Sequence, residues 1–91
     1  MKANHPQSDI LFLESRINYT LVYYKNGKTE LLSYTLKKVE AQLASTKSTF
    51  LRIHRSFLVN QEHIKRCNDT NVQLSNGIIL PVARRRKQYL N

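Results

Sequence analysis

The chain has 91 residues, enough for one domain with a modest core and too few for two lobes with a cleft between them. Fifteen Lys and Arg against six Asp and Glu give a formal charge of +9, which favours phosphate polymers or anionic surfaces over neutral partners. A single cysteine, Cys67, excludes an internal disulfide, and the apolar runs fall far short of the ~20 residues of a membrane helix, so a soluble cytoplasmic protein with no membrane segment is expected.

In chain order, residues 1–8 read as a flexible leader and residues 9–91 as the domain. Asp9 to Glu14 predicts a short apolar strand. Tyr19 to Tyr24, rich in β-branched and aromatic residues, predicts a second, and Thr29 to Ser33 a third. Asn26-Gly27 between them suits a two-residue type I′ turn, which needs positive φ at both positions. Leu36, Val39, Leu43 and Ala44 recur at helical spacing, with Lys37, Lys38, Glu40 and Gln42 opposite. Thr35 is the expected N-cap, and the polar run from Ser45 to Thr49 ends the helix.

Phe50 to Asn60 departs from the pattern of a buried strand, because Arg52, His54 and Arg55 sit inside an apolar run and neither period-2 face is clean. An interruption at His54-Arg55-Ser56 resolves the conflict: the chain leaves the sheet, presents polar side chains in a turn, and re-enters the core at Phe57. Asn60 suits a cap or turn role after it. A second Asn-Gly tip, Asn76-Gly77, joins Asn71–Ser75 to Ile78–Val82, where Pro81 belongs at a strand end or sheet edge. The chain closes with Arg84, Arg85, Arg86 and Lys87; residues 1–49 carry net +3 and residues 50–91 net +6. The expected fold is mainly β, with one or two short helices and small antiparallel sheets built from hairpins.

Structural roles compete for each polar residue. Arg52 can snorkel or pair with Glu14 or Glu62, His54 can be a hydrogen-bonded strand histidine, and Tyr23 and Tyr24 can be sheet packing. Cys67 reads as a packing residue, and His5, His54 and His63 lack metal-ligand spacing, so neither metal nor cofactor is expected. Ser56 near His54 lacks a third, orienting acid, which argues against an enzyme. The basic run at the C-terminus can be a solvated tail or can face phosphates.

The ordered set Phe50-x-Arg52-x-His54-Arg55-Ser56-Phe57-x-Val59-Asn60, then Ile64 and Leu80-Pro81-Val82-Ala83-Arg84-Arg85, resembles the LytTR DNA-binding domain of bacterial response regulators. Asp9 to Glu14, Asn18-Tyr19, the first hairpin and Thr35-Leu36 resemble the same family in the same order, and Ala83 stands where the family commonly has Ser. The resemblance implies sequence-specific binding of double-stranded DNA in transcription regulation within two-component systems, through loops placed in DNA grooves. It also implies paired copies on direct repeats, with a homodimer on DNA as the matching arrangement. Carried over by position, it makes Asn18, Tyr19, Arg55 and Arg84 candidates for base contacts. Arg16, His54, Arg85, Arg86 and Lys87 become candidates for phosphate contacts, and Arg52, Ser56 and Asn60 structural members of the motif. Two other classes stay open on charge alone: a small basic RNA-binding protein, and an interaction module that docks an acidic partner.

Overall fold

In the computed structural model, which describes residues 7–44 and 49–83, the eight strands of the described residues divide between two antiparallel sheets. Strands β1 (Ile10–Ser15), β2 (Thr20–Tyr24), β3 (Thr29–Leu32), β4 (Phe50–His54) and β5 (Phe57–Asn60) form the larger one, in the order β3-β2-β1-β5-β4. Strands β6 (Ile64–Cys67), β7 (Asn71–Leu74) and β8 (Ile79–Pro81) form the smaller, in the order β6-β7-β8. The helix α1, Leu36–Ala44, connects β3 to the segment that leads into β4.

β1 shows no polar alternation over Ile10 to Leu13 because both of its faces are covered. Ile10 and Leu13 join Val22, Tyr24 and Leu58 in a core closed by Leu36, Val39 and Leu43 of α1. Leu11 and Phe12 join Ile53 and Val59 in a second core, closed by Val72, Leu74 and Leu80 of the small sheet and by Val82. A register shift between Ile10 and Phe12 lets the consecutive Leu11 and Phe12 serve the same core. The larger sheet is thus the middle layer, with the helix on one face and the small sheet on the other. Thr35 Oγ1 accepts from the Lys38 amide at 3.3 Å, as an N-cap should. Ala44, expected on the apolar face, is exposed in the last turn.

The Asn-Gly tips form hairpins, but not by the expected type I′ turn. Positive φ occurs only at Gly27 (88°) and Gly77 (93°) among the described residues, so Asn26 and Asn76 keep ordinary backbone angles. Each loop has three residues. Gly27 N donates to the Tyr24 carbonyl and Tyr24 N to that of Lys28, and Gly77, Leu74 and Ile78 repeat the pattern. This is a turn followed by a left-handed glycine, which a side chain at that φ would strain. Asn26 Oδ1 accepts from Lys28 N at 2.9 Å and Asn76 Oδ1 from Ile78 N at 3.1 Å, which is why asparagine precedes each glycine. No strand is predicted at Ile64–Cys67, yet β6 forms there; its Lys65, Arg66 and Cys67 are exposed, so it offers no apolar period to read. Pro81 ends the edge strand β8, and Val82 N continues the pairing to the Thr70 carbonyl.

Two polar side chains tie strands of the larger sheet to one another and to its flanking segments. Asn60 is fully buried: its Oδ1 accepts from Glu62 N at 3.0 Å and Thr49 Oγ1 at 2.8 Å, and its Nδ2 donates to the Ile10 carbonyl at 2.9 Å. It thereby caps the short 3-10 helix Gln61–His63 and ties β5 to the start of β1. Gln7 and Ser8 are tied in as well, through their carbonyls to Asn60 and His63. Tyr24 is buried and donates to Glu30 across the first hairpin, and burial followed by that bond raises its pKa. A phenol whose folded pKa exceeds the unfolded value of about 10 contributes stability below that pH and loses it as pH rises further. Alkaline melting curves should therefore fall more steeply above pH ~10 for the native chain than for Tyr24→Phe; parallel curves would remove the assignment.

Candidate nucleic-acid interface

β1 pairs antiparallel with both β2 and β5, so the loop that leaves β1 and the turn that enters β5 lie at the same end of the sheet. Glu14 faces Leu21 on one side and Phe57 on the other. Beyond it, Ser15 N donates to the Ser56 carbonyl at 2.8 Å, and Arg16 N to the Tyr19 carbonyl at 2.8 Å. The first of these backbone bonds ties the two loops to each other, and the second closes the β1–β2 loop on itself. Between them lies a shallow open depression lined by Ser15, Arg16, Ile17, Tyr19, Arg55 and Ser56. The structure thus brings Arg55 to the same surface as Arg16 and Tyr19, which lie some forty positions earlier in the sequence. Asn18 is exposed on the same loop but does not line the depression.

The charged run of Phe50 to Asn60 is a hairpin: β4 and β5 reverse at Arg55-Ser56. Neither turn residue has positive φ, and a register shift between Arg52 and His54 supplies the extra twist that such a tight reversal needs. His54 Nδ1 accepts from Ser56 N at 3.0 Å, and its ring lies against Phe57 at 5.7 Å between centroids. That nitrogen is therefore committed to the turn. Arg52 braces the reversal from inside. Its Nε donates to the His54 carbonyl at 2.9 Å, one terminal nitrogen to the Arg55 carbonyl at 2.6 Å, and the other to Glu40 of α1 at 2.7 Å. The acid partner is Glu40, not Glu14 or Glu62, because the side chain turns toward the helix.

With its carbonyl held, the Arg55 side chain projects into solvent, and no acid pairs with it among the described residues. Arg16 differs: its guanidinium lies 3.1 Å from Glu14, whose carboxylate also accepts from the Tyr23 hydroxyl at 2.8 Å. Bonding to Tyr23 and then the charge of Glu14 raise the Arg16 pKa, so it stays cationic and oriented. Burial, with the Glu14 bond next, raises that of Tyr23.

The candidates Arg84, Arg85, Arg86 and Lys87 lie outside the described residues. Ala83, joined to Arg84 by one peptide bond, donates its amide to the Ile53 carbonyl at 2.8 Å, two residues before Arg55. Sequence reasoning missed Glu14 and Tyr23 as the holders of Arg16, Glu40 as the partner of Arg52, and Ile17 as a member of the depression. Ile17 carried a signal, since an aliphatic residue is unusual in a tight loop. The long-range partners carried none.

A family model described as the LytTr DNA-binding domain matches residues 3–91. The transcriptional regulatory protein BtsR of Salmonella typhi is 34% identical over 82 residues, covering 85% of this chain and 32% of that protein. BtsR of Escherichia coli K12 is 33% identical over the same length and coverage. The chain thus spans about a third of the length of these relatives. A LytTr DNA-binding domain from Bacillus cereus superposes with a TM-score of 0.80 at 30% identity, over 98% of this chain and 88% of that one. Among the described residues, no helix is long and apolar enough to cross a membrane.

Proposed function

Because this chain belongs to the LytTr DNA-binding domain family, we propose that it serves transcription regulation by reading a short duplex sequence with the β1–β2 loop and the β4–β5 turn. The observation that carries the proposal is the depression in which Arg55, without an acid partner among the described residues, stands beside Arg16 and Tyr19 on two loops joined by a backbone bond. A guanidinium held on a projecting turn suits bidentate bonding to guanine O6 and N7 in the major groove. Arg16, already oriented by Glu14, suits a phosphate oxygen, which fixes position without reading sequence. Asn18 and Tyr19 remain candidates for a second base contact, and His54 for a phosphate contact.

Arg84 would act as a further base reader, with Arg85, Arg86 and Lys87 on phosphates. One small domain offers few contacts, so two copies on direct repeats, as a homodimer on DNA, would supply affinity. Response to a signal would belong to a two-component system, with action in the cytoplasm.

Selection from random duplexes at physiological salt tests the reading, followed by salt titration of the selected duplex against a scrambled one. The selected duplex should keep a clear advantage as salt rises, while non-specific binding falls away by counterion release. Equal loss for both duplexes would replace sequence reading with charge-driven contact; preference for single-stranded RNA would move the protein to another class.

A further inference from the structure

Ile17 is 93% exposed, beyond Leu31 at 56%, Tyr34 at 41% and Ile79 at 61%. A single exposed aliphatic residue is ordinary on a protein surface. Three features set this one apart. It occupies a tight hairpin loop, where Gly, Asn, Asp and Ser are the economical choices. It lines the same depression as Arg55 and Tyr19. Its loop is held by the Arg16–Tyr19 and Ser15–Ser56 backbone bonds, so the apolar side chain is presented by a fixed backbone.

We propose that Ile17 is a specificity-determining residue that packs on the C5-methyl group of a thymine in the major groove, next to the base pair read by Arg55. This rests on the proposed DNA-reading function of the same loops. The thymine methyl is the apolar feature that bases present in the major groove, whereas the minor groove shows hydrogen-bonding groups shared between A·T and T·A. Ile17 has no hydrogen-bonding group, so it can discriminate only by apolar contact or exclusion. Standing beside a guanidinium suited to guanine, it makes the loop pair a reader of a guanine with a thymine close by. Burying one methyl is worth about fourfold in affinity.

The test uses the selected duplex, with each thymine replaced in turn by uracil, which removes the methyl and leaves every hydrogen-bonding edge intact. The native protein should lose about fourfold at one position, Ile17→Ala should show no uracil penalty there, and Ile17→Val should keep most of it. Since the side chain is almost wholly in solvent, these variants should fold as the native chain does, which circular dichroism checks. Tolerance of uracil at every thymine overturns the proposal, as does an undiminished penalty in Ile17→Ala. If Ile17→Ala weakens binding while uracil has no effect, the residue is a wedge between base steps and the methyl reading is wrong. Failure to select any duplex overturns the function proposed above and this inference with it, whereas a selected duplex indifferent to Ile17 overturns this inference alone.

Discussion

Arg55→Ala is expected to reduce the preference for the selected duplex over a scrambled one by about 5- to 150-fold, the span of one bidentate base contact. The thermal midpoint should barely move. The side chain is exposed, and the features that hold the turn belong to other groups: the Arg52 fork on the His54 and Arg55 carbonyls, and the His54 ring on Ser56 N. A carbonyl is retained on substitution by alanine, so the brace survives while the guanidinium is lost. Competition binding with the two duplexes at one salt concentration gives the ratio directly. An unchanged ratio, with affinity for both duplexes lowered alike, would reassign Arg55 to phosphate and leave the base reading to other residues.

The largest expected effect on stability comes from Asn60, which is fully buried. Asn60→Ala would strand the Glu62 amide, the Thr49 hydroxyl and the Ile10 carbonyl, each of which bonds to this one side chain. A buried polar group left without a partner costs about 1–3 kcal/mol, so the total should reach about 3 kcal/mol even though Thr49 can turn to water. In a domain of this size, that lowers the thermal midpoint by roughly 12–24 °C. Asn60→Asp preserves the shape but replaces the donor facing the Ile10 carbonyl with an acceptor, and it should be destabilising as well. A loss below about 1 kcal/mol for the alanine variant in urea denaturation would mean that water replaces the amide and that Asn60 does not hold β5 to the start of β1.

These two residues also mark what can be read from the chain by itself. Asn60 could be assigned a cap because it follows Phe57-Leu58-Val59 and precedes a polar segment, a local pattern. Its bond to Ile10, 50 positions away, has no local signature. The strands β1, β2, β4, β5 and β7 and the helix were legible because each carries an apolar period or run that burial demands. β6 was not, since a short strand covered on one side by a single partly buried Ile64 has too few apolar positions to show a period. The turn geometry at Asn26-Gly27 was misread for a related reason. Asn-Gly is compatible with two- and three-residue loops, and the choice is made by strand register.

For the interface, the resemblance pointed to Arg16, Tyr19 and Arg55 separately, and the sheet order explains why they meet. β5 returns beside β1 instead of extending the β2–β3 side, which brings residues some forty positions apart to one end of the sheet. Pairings of this kind depend on topology, and a charge pattern cannot reveal them. The same holds for Arg52: its type and position suggest an ion pair, but its choice of Glu40 depends on how α1 lies across the sheet.

The hydrogen bond from Ser15 to Ser56 has a thermodynamic consequence. Two independent loops would each surrender backbone freedom on meeting a duplex, and loops that order upon contact slow association and weaken it. Here the freedom is lost once, when β1 and β5 zip together, so on the proposed function a duplex would encounter a surface whose parts already hold their separation. Association then depends on the orientation of one rigid body, and a mismatch in the target cannot be relieved by letting one loop drift away from the other. On the proposed reading, in which both loops contact bases, the expected cost of that stiffness is intolerance of small changes in the spacing between those bases.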